Sequence, residues 1–190
     1  MRLSGEAYTI EIKKDPKFKM DREDNASYDI CLDPFSHYSP DGFYACLFMH
    51  IVEKNRTTRL ALVCNYYSTD RNCALLENDV LTLLCNDAVV QLDLTSISLR
   101  SCRKLDTLGC NFGIYKVPDG YIIHGETEIE KLDESLNKLW EFSGIDIFVS
   151  VTGREAFSLG ENSIQLYDFE DNFYEIDLQG NLIREELVKR

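Results

Sequence analysis

Histidine and tryptophan are scarce in this 190-residue chain, at three copies and one. That leaves few ways to build a histidine-based catalytic or metal centre. The spaced signatures of common chemistry are missing as well: there is no G-x-S-x-G elbow, no G-x-x-x-x-G-K-[ST] phosphate loop and no H-E-x-x-H zinc helix. No window approaches the roughly 18 apolar residues of a spanning helix, and the opening MRLSGEAYTIEIKK holds no apolar signal core. A soluble, cytoplasmic protein with no membrane contact is therefore expected. Bases are also outnumbered, with 20 Lys and Arg against 33 Asp and Glu for a net charge of −13. Nucleic-acid affinity rests on Lys and Arg contacts to phosphate, so no nucleic-acid partner is expected either.

What is present argues for a folded β protein. Hydrophobic residues make up 44% of the chain, with ten Tyr and ten Phe, and a chain of this length buries roughly 70% of its unfolded surface. The seven cysteines are odd in number, contain no C-x-x-C and sit among apolar neighbours, so they read as small buried hydrophobes. One domain overall is expected, with residues 1–75 packing on a repeat region, 76–190.

The repeat is the strongest pattern. Segments 80–102, 121–142 and 164–186 each run apolar residues into Leu92-Asp93, Leu132-Asp133 or Ile176-Asp177. Four residues before each Asp stands Val89, Ile129 or Phe173, and six after it stands Leu99, Leu139 or Ile183. The steps of 40 and 44 residues suit a four-stranded antiparallel unit. An Asp at the close of a strand can accept hydrogen bonds from the next turn, which is the structural reading of Asp93, Asp133 and Asp177.

Ahead of the repeats, Tyr8, Ile10 and Ile12 alternate as on a half-buried strand. Residues 15–41 carry three prolines and read as a long irregular connection, and 43–53 with 58–67 read as a hairpin with its first strand central. Segment 127–142 reads two ways. Ile129, Leu132, Leu136, Leu139 and Trp140 have helical spacing behind a Thr127/Glu130 capping box, whereas alignment with its sister units makes it two strands around a turn at 134–137.

Leu132-Asp133 followed by Leu139-Trp140, echoed by Ile176-Asp177 and Gly180, resembles the repeats of quinoprotein-like and WD-type β-propellers. Trp140 occurs in one unit alone, and three units are fewer than the four to eight blades of a closed propeller. The resemblance implies a mainly β fold: an open propeller-like stack or a twisted antiparallel β-sandwich, with one short helix at 127–142 as the alternative there. It also implies an interaction platform, although fold analogy does not fix function.

Charge is concentrated. Residues 119–177 hold fifteen acids against three bases, while residues 1–75 are nearly balanced. A basic protein partner would be drawn to that stretch, with Glu126, Glu128, Glu130, Asp168, Glu170 and Asp171 as its candidate contacts. The expectation is a non-enzymatic interaction module, in a concrete version an immunity or inhibitor protein that covers a basic, nuclease-type toxin. The alternative is a small-ligand binder or hydrolase with a pocket at the mouth of the β stack, built from His124, Asp146 and Tyr residues. In it, neighbouring carboxylates would raise the His124 pKa. Tyr66, Tyr67, Tyr167, Phe169, Phe173 and Tyr174 are candidates for an aromatic face. Cys46 and His50, four apart on a strand, would lie roughly 13 Å from one another, too far for a dyad, and His37 could reach a cysteine only through the fold. No cofactor and no metal site is expected: the acids at 168–171 lack the spaced pattern of a calcium loop.

Overall fold

The computed structural model describes residues 1–20, 27–65 and 71–189. Tyr66 and Tyr67 lie outside them, as does part of the 15–41 connection and the end of the expected 58–67 strand. The chain divides into two compact units, Met1–Leu105 and Asp106–Arg190.

In the first unit, β1 (Arg2–Ser4), β2 (Tyr8–Lys14), β3 (Ile30–Leu32), β4 (Ala45–Glu53) and β5 (Arg56–Cys64) form one sheet in the order β1-β2-β4-β5-β3. Tyr8, Ile10 and Ile12 point inward along β2 as their alternation requires. The β4–β5 hairpin turns at Lys54, whose φ is 48°, and β4 is central, between β2 and β5. From the irregular connection β3 adds in parallel to β5. A second sheet follows in simple sequence: β6 (Ala74–Glu77), β7 (Val80–Leu84), β8 (Ala88–Asp93) and β9 (Ser98–Lys104).

The second unit repeats that meander twice. Its first sheet is β10 (Asn111–Val117), β11 (Gly120–Gly125), β12 (Ile129–Leu132) and β13 (Lys138–Phe142). Its second is β14 (Phe157–Leu159), β15 (Ser163–Tyr167), β16 (Phe173–Asp177) and β17 (Leu182–Glu186). The two share a core in which Val117, Ile122 and Ile129 meet Ile164, Leu166, Tyr174 and Ile176, with Phe148 and Phe157 between.

The fold is mainly β and propeller-like, as the repeat implied. Each repeat supplies the last three strands of a four-stranded antiparallel sheet, and a strand without the Asp marker, β6, β10 or β14, completes it. The likeness extends to detail, since all three sheets carry a β-bulge opposite the two residues that precede the marker Asp. The bulge is one extra residue on the outer strand, Leu139 or Ile183 in the second unit.

The helical alternative for 127–142 is overturned. Ile129 and Leu132 are buried on β12, Leu136 is buried in the turn at a φ of 67°, and Leu139 is the exposed bulge residue. A turn residue folded inward and a bulge residue turned outward imitate the spacing of a helix. No element of the described residues is a helix long and apolar enough to cross a membrane.

Candidate functional site

The repeated aspartates hold the turns that follow them. Asp133 Oδ1 accepts the backbone N–H groups of Ser135 and Asn137 at 2.8 Å, and Oδ2 accepts the Asn137 amide at 3.0 Å. Asp177 does the same for Gln179 and Asn181, between 2.8 and 2.9 Å. These bonds hold the Asp177 carboxyl below its ordinary pKa, the Asn181 amide contributing most. Asp93 caps Ser96 through its backbone and hydroxyl. In the second unit the device is Asp-x-x-x-Asn with a left-handed residue at the fourth position: Leu136, Gly180 and, in a third copy, Asp171.

That third copy, Asp168 to Asn172, changes the reading of the acidic cluster. Asp168 is 1% exposed and accepts four hydrogen bonds, from the N–H groups of Glu170 and Asn172, the Asn172 amide and the Tyr174 hydroxyl. Glu130 is fully buried on β12, directly opposite Glu141 of β13. Neither can meet a partner at the surface, so Asp168 and Glu130 are corrected from contact residues to interior ones.

The other four candidates are brought together. Glu126 and Glu128 lie in the β11–β12 turn, and Glu170 and Asp171 in the β15–β16 turn. A crossing segment joins the two turns: Phe148 donates its N–H to the Glu126 carbonyl at 2.6 Å, and Phe169 donates to the Ile147 carbonyl at 2.8 Å. Residues 108–110 flank the first turn, where Glu126 accepts the Cys110 N–H at 3.0 Å and Thr127 donates to the Leu108 carbonyl at 2.8 Å. The result is an acidic rim along one side of the second unit. Burial pushes the Glu128 carboxyl up, and the charges of Glu141 and Asp106 add to this against the relief from Lys138. Asp171 is partly offset by Arg154, 3.6 Å away. The whole unit, residues 106–190, contains eighteen acids and seven bases.

The chain matches no known family profile and no curated protein sequence. Among solved structures it is similar to BamB from Moraxella catarrhalis, at 12% identity and a TM-score of 0.48, over 80% of this chain and 49% of that one. It is also similar to Hsv2 of Kluyveromyces lactis, at 10% identity and a TM-score of 0.46, over 75% of this chain and 47% of that one. It spans about half the length of either. Its own four-stranded meanders, each with a bulge beside the marker Asp, are what make the fold propeller-like.

His124 differs from expectation. On β11 it is 9% exposed, stacked on Phe157 at 4.7 Å between ring centroids and edged by Phe112 at 5.2 Å. Burial pulls its pKa down to about 4, with the Phe148 carbonyl opposing weakly. The ring is a neutral core aromatic at pH 7, and no carboxylate raises its pKa. Asp146 accepts the N–H of Ile147 at 2.8 Å. A cavity of about 350 Å³ opens in the first unit beside Asp15, Phe18, Tyr44 and Cys46, remote in sequence from both. Each of the seven cysteines holds a free thiol, Cys31 and Cys110 exposed. Burial pushes the Cys46 thiol well above its ordinary value, and nearby Asp15 adds to the shift. His37 lies 3.9 Å from Asp87. Among the described residues no group of three or more His, Cys, Asp or Glu could hold a metal ion. In the expected aromatic face, Tyr174 is core while Phe169 is exposed.

The sequence held a signal for separating the two kinds of acid. An Asp followed four residues later by Asn marks Asp133, Asp168 and Asp177 as turn formers, which sets Asp168 apart from the other five candidates but says nothing of Glu130, whose burial on β12 only the fold shows.

Proposed function

We propose that the chain is a non-enzymatic protein-interaction module whose second unit offers its acidic rim to a basic protein partner. The observation that carries this reading is the joining of two acidic turns, 126–128 and 170–171, by the hydrogen bonds of one crossing segment. They form one surface in a unit where acids outnumber bases eighteen to seven. Charge arranged in this way chiefly speeds association and rejects like-charged competitors. In the concrete version, the partner is a nuclease-type toxin, and the rim covers the Lys and Arg groups with which such an enzyme would grip phosphate.

The test uses the pure chain as bait in lysate of its host, at low and at high salt, beside a Glu170→Lys/Asp171→Lys variant. A basic protein held at low salt, released at high salt and missed by the variant is the expected result. Retention that ignores both salt and charge reversal would end the electrostatic reading. If the retained protein is an enzyme of nucleic-acid cleavage, and the chain inhibits it, the immunity version stands.

A further inference from the structure

Apolar side chains stand among the rim's carboxylates without a local reason to be there. Leu108 is 79% exposed, Ile145 66% and Phe169 47%. Single exposed apolar residues are ordinary on any surface; these three share one hydrogen-bonded stretch. The Leu108 carbonyl is held by Thr127, between Glu126 and Glu128. Phe169 is fixed through its N–H to Ile147 and follows the four-bonded Asp168 directly. Ile145 donates its N–H to the Tyr174 hydroxyl at 3.0 Å, and that hydroxyl donates to Asp168. The buried Asp168 thus anchors the backbone on both sides of the patch, so its apolar members are displayed on fixed backbone and little order remains to be gained on binding.

We propose that the rim seats an extended basic segment of a partner protein in which Lys or Arg alternate with apolar side chains. Leu108, Ile145 and Phe169 take the apolar members, while Glu126, Glu128, Glu170 and Asp171 take the cations. Charge complementarity selects this occupant. A second copy of the chain would bring another −13, and nucleic acid or anionic lipid would be repelled in the same way. A purely apolar segment would strip water from carboxylates and return nothing to them. This inference rests on the interaction reading above and adds to it the apolar anchors, which set the lifetime of the complex while charge sets the encounter rate.

Two synthetic peptides of equal length and charge test it against the full chain by fluorescence anisotropy. One alternates Lys and Arg with Leu and Phe, and the other alternates them with Ser. The Leu/Phe peptide should bind at least about tenfold more tightly, the factor one buried apolar side chain supplies. Leu108→Ser/Phe169→Ser should erase that preference, and Glu170→Lys should weaken both peptides. All three positions are at the surface, and an unchanged melting temperature verifies that the variants fold. Equal binding of the two peptides, or a preference that survives Leu108→Ser/Phe169→Ser, overturns the anchors and leaves the charge-driven reading standing. Binding of neither peptide overturns the extended-segment occupant, and salt-dependent capture from lysate then decides the charge-driven reading separately.

Discussion

His124 shows what burial does to a single titratable group. Its imidazole stacks between aromatic rings, and its pKa falls from an ordinary 6.5 to about 4. Between those values the unfolded chain binds a proton that the folded chain refuses, so this group's contribution is intact above pH 6.5 and is lost as the pH falls toward 4. The loss amounts to about 3 kcal/mol at most. Asp93, Asp119 and Asp177 have lowered values, so their losses begin beneath that window, below 3.8. Glu128, with its raised carboxyl, opposes the trend. The melting temperature should therefore drop between pH 6.5 and 4.5, and His124→Phe should flatten much of that slope. Equal slopes for wild type and variant would show that the proton goes elsewhere. The same scale separates the acids: Asp168→Ala removes the acceptor of four hydrogen bonds in the interior and should cost roughly 3 kcal/mol or more, whereas Asp171→Ala should cost under about 1 kcal/mol in urea denaturation. Nothing in the residue types distinguishes these two acids, three apart in one acidic run. Only the Asn four places after Asp168 does so.

At the scale of elements, the strands were legible because alternation and a repeat agreed, and what hid was whatever lacked the marker. β6, β10 and β14 do not themselves run into a Leu-Asp or Ile-Asp, so the repeat showed three strands of each four-stranded sheet. The bulge at Leu139 was illegible because an extra residue on one strand is a fact about its partner strand. Trp140 explains itself only across sheets of the second unit. Its indole donates to the Leu178 carbonyl at 3.2 Å, and Lys131, 2% exposed, donates to the same oxygen at 2.9 Å and to Asp119 at 2.8 Å. Gly180 makes that approach possible, with a φ of +84° and space so tight that a Cβ would lie 2.7 Å from the Trp140 ring. Gly153 has a φ of +83° and open space around it. Gly153→Ala should thus cost roughly 1–2 kcal/mol from the left-handed backbone alone, and Gly180→Ala should add about 1–3 kcal/mol of overlap with the indole. Urea denaturation of the two variants measures the difference. Equal costs would mean that Trp140 yields freely.

For the whole molecule the decisive quantity is the placing of charge. Of the net −13, the residues of the second unit account for −11, eighteen acids against seven bases. Seven bases cannot neutralise eighteen acids, and the repulsion left over acts against the compact state. Added salt screens such repulsion over a Debye length of about 10 Å near 0.1 M. The melting temperature should consequently rise with monovalent salt, by a few degrees for a chain of this size, whereas a fold resting on surface ion pairs would soften. Glu170→Lys relieves part of the repulsion and leaves the Asp171–Arg154 pair in place, so the variant should melt higher than wild type at low salt and gain less when salt is added. The same screening weakens a complex formed with a basic partner. Fold and complex should thus respond to salt in opposite directions, which a non-specific effect of the salt on protein surfaces would not produce. A melting temperature that falls as salt is added would mean that the acids of the second unit are balanced within the fold, and the rim would then have no excess charge with which to draw a basic partner.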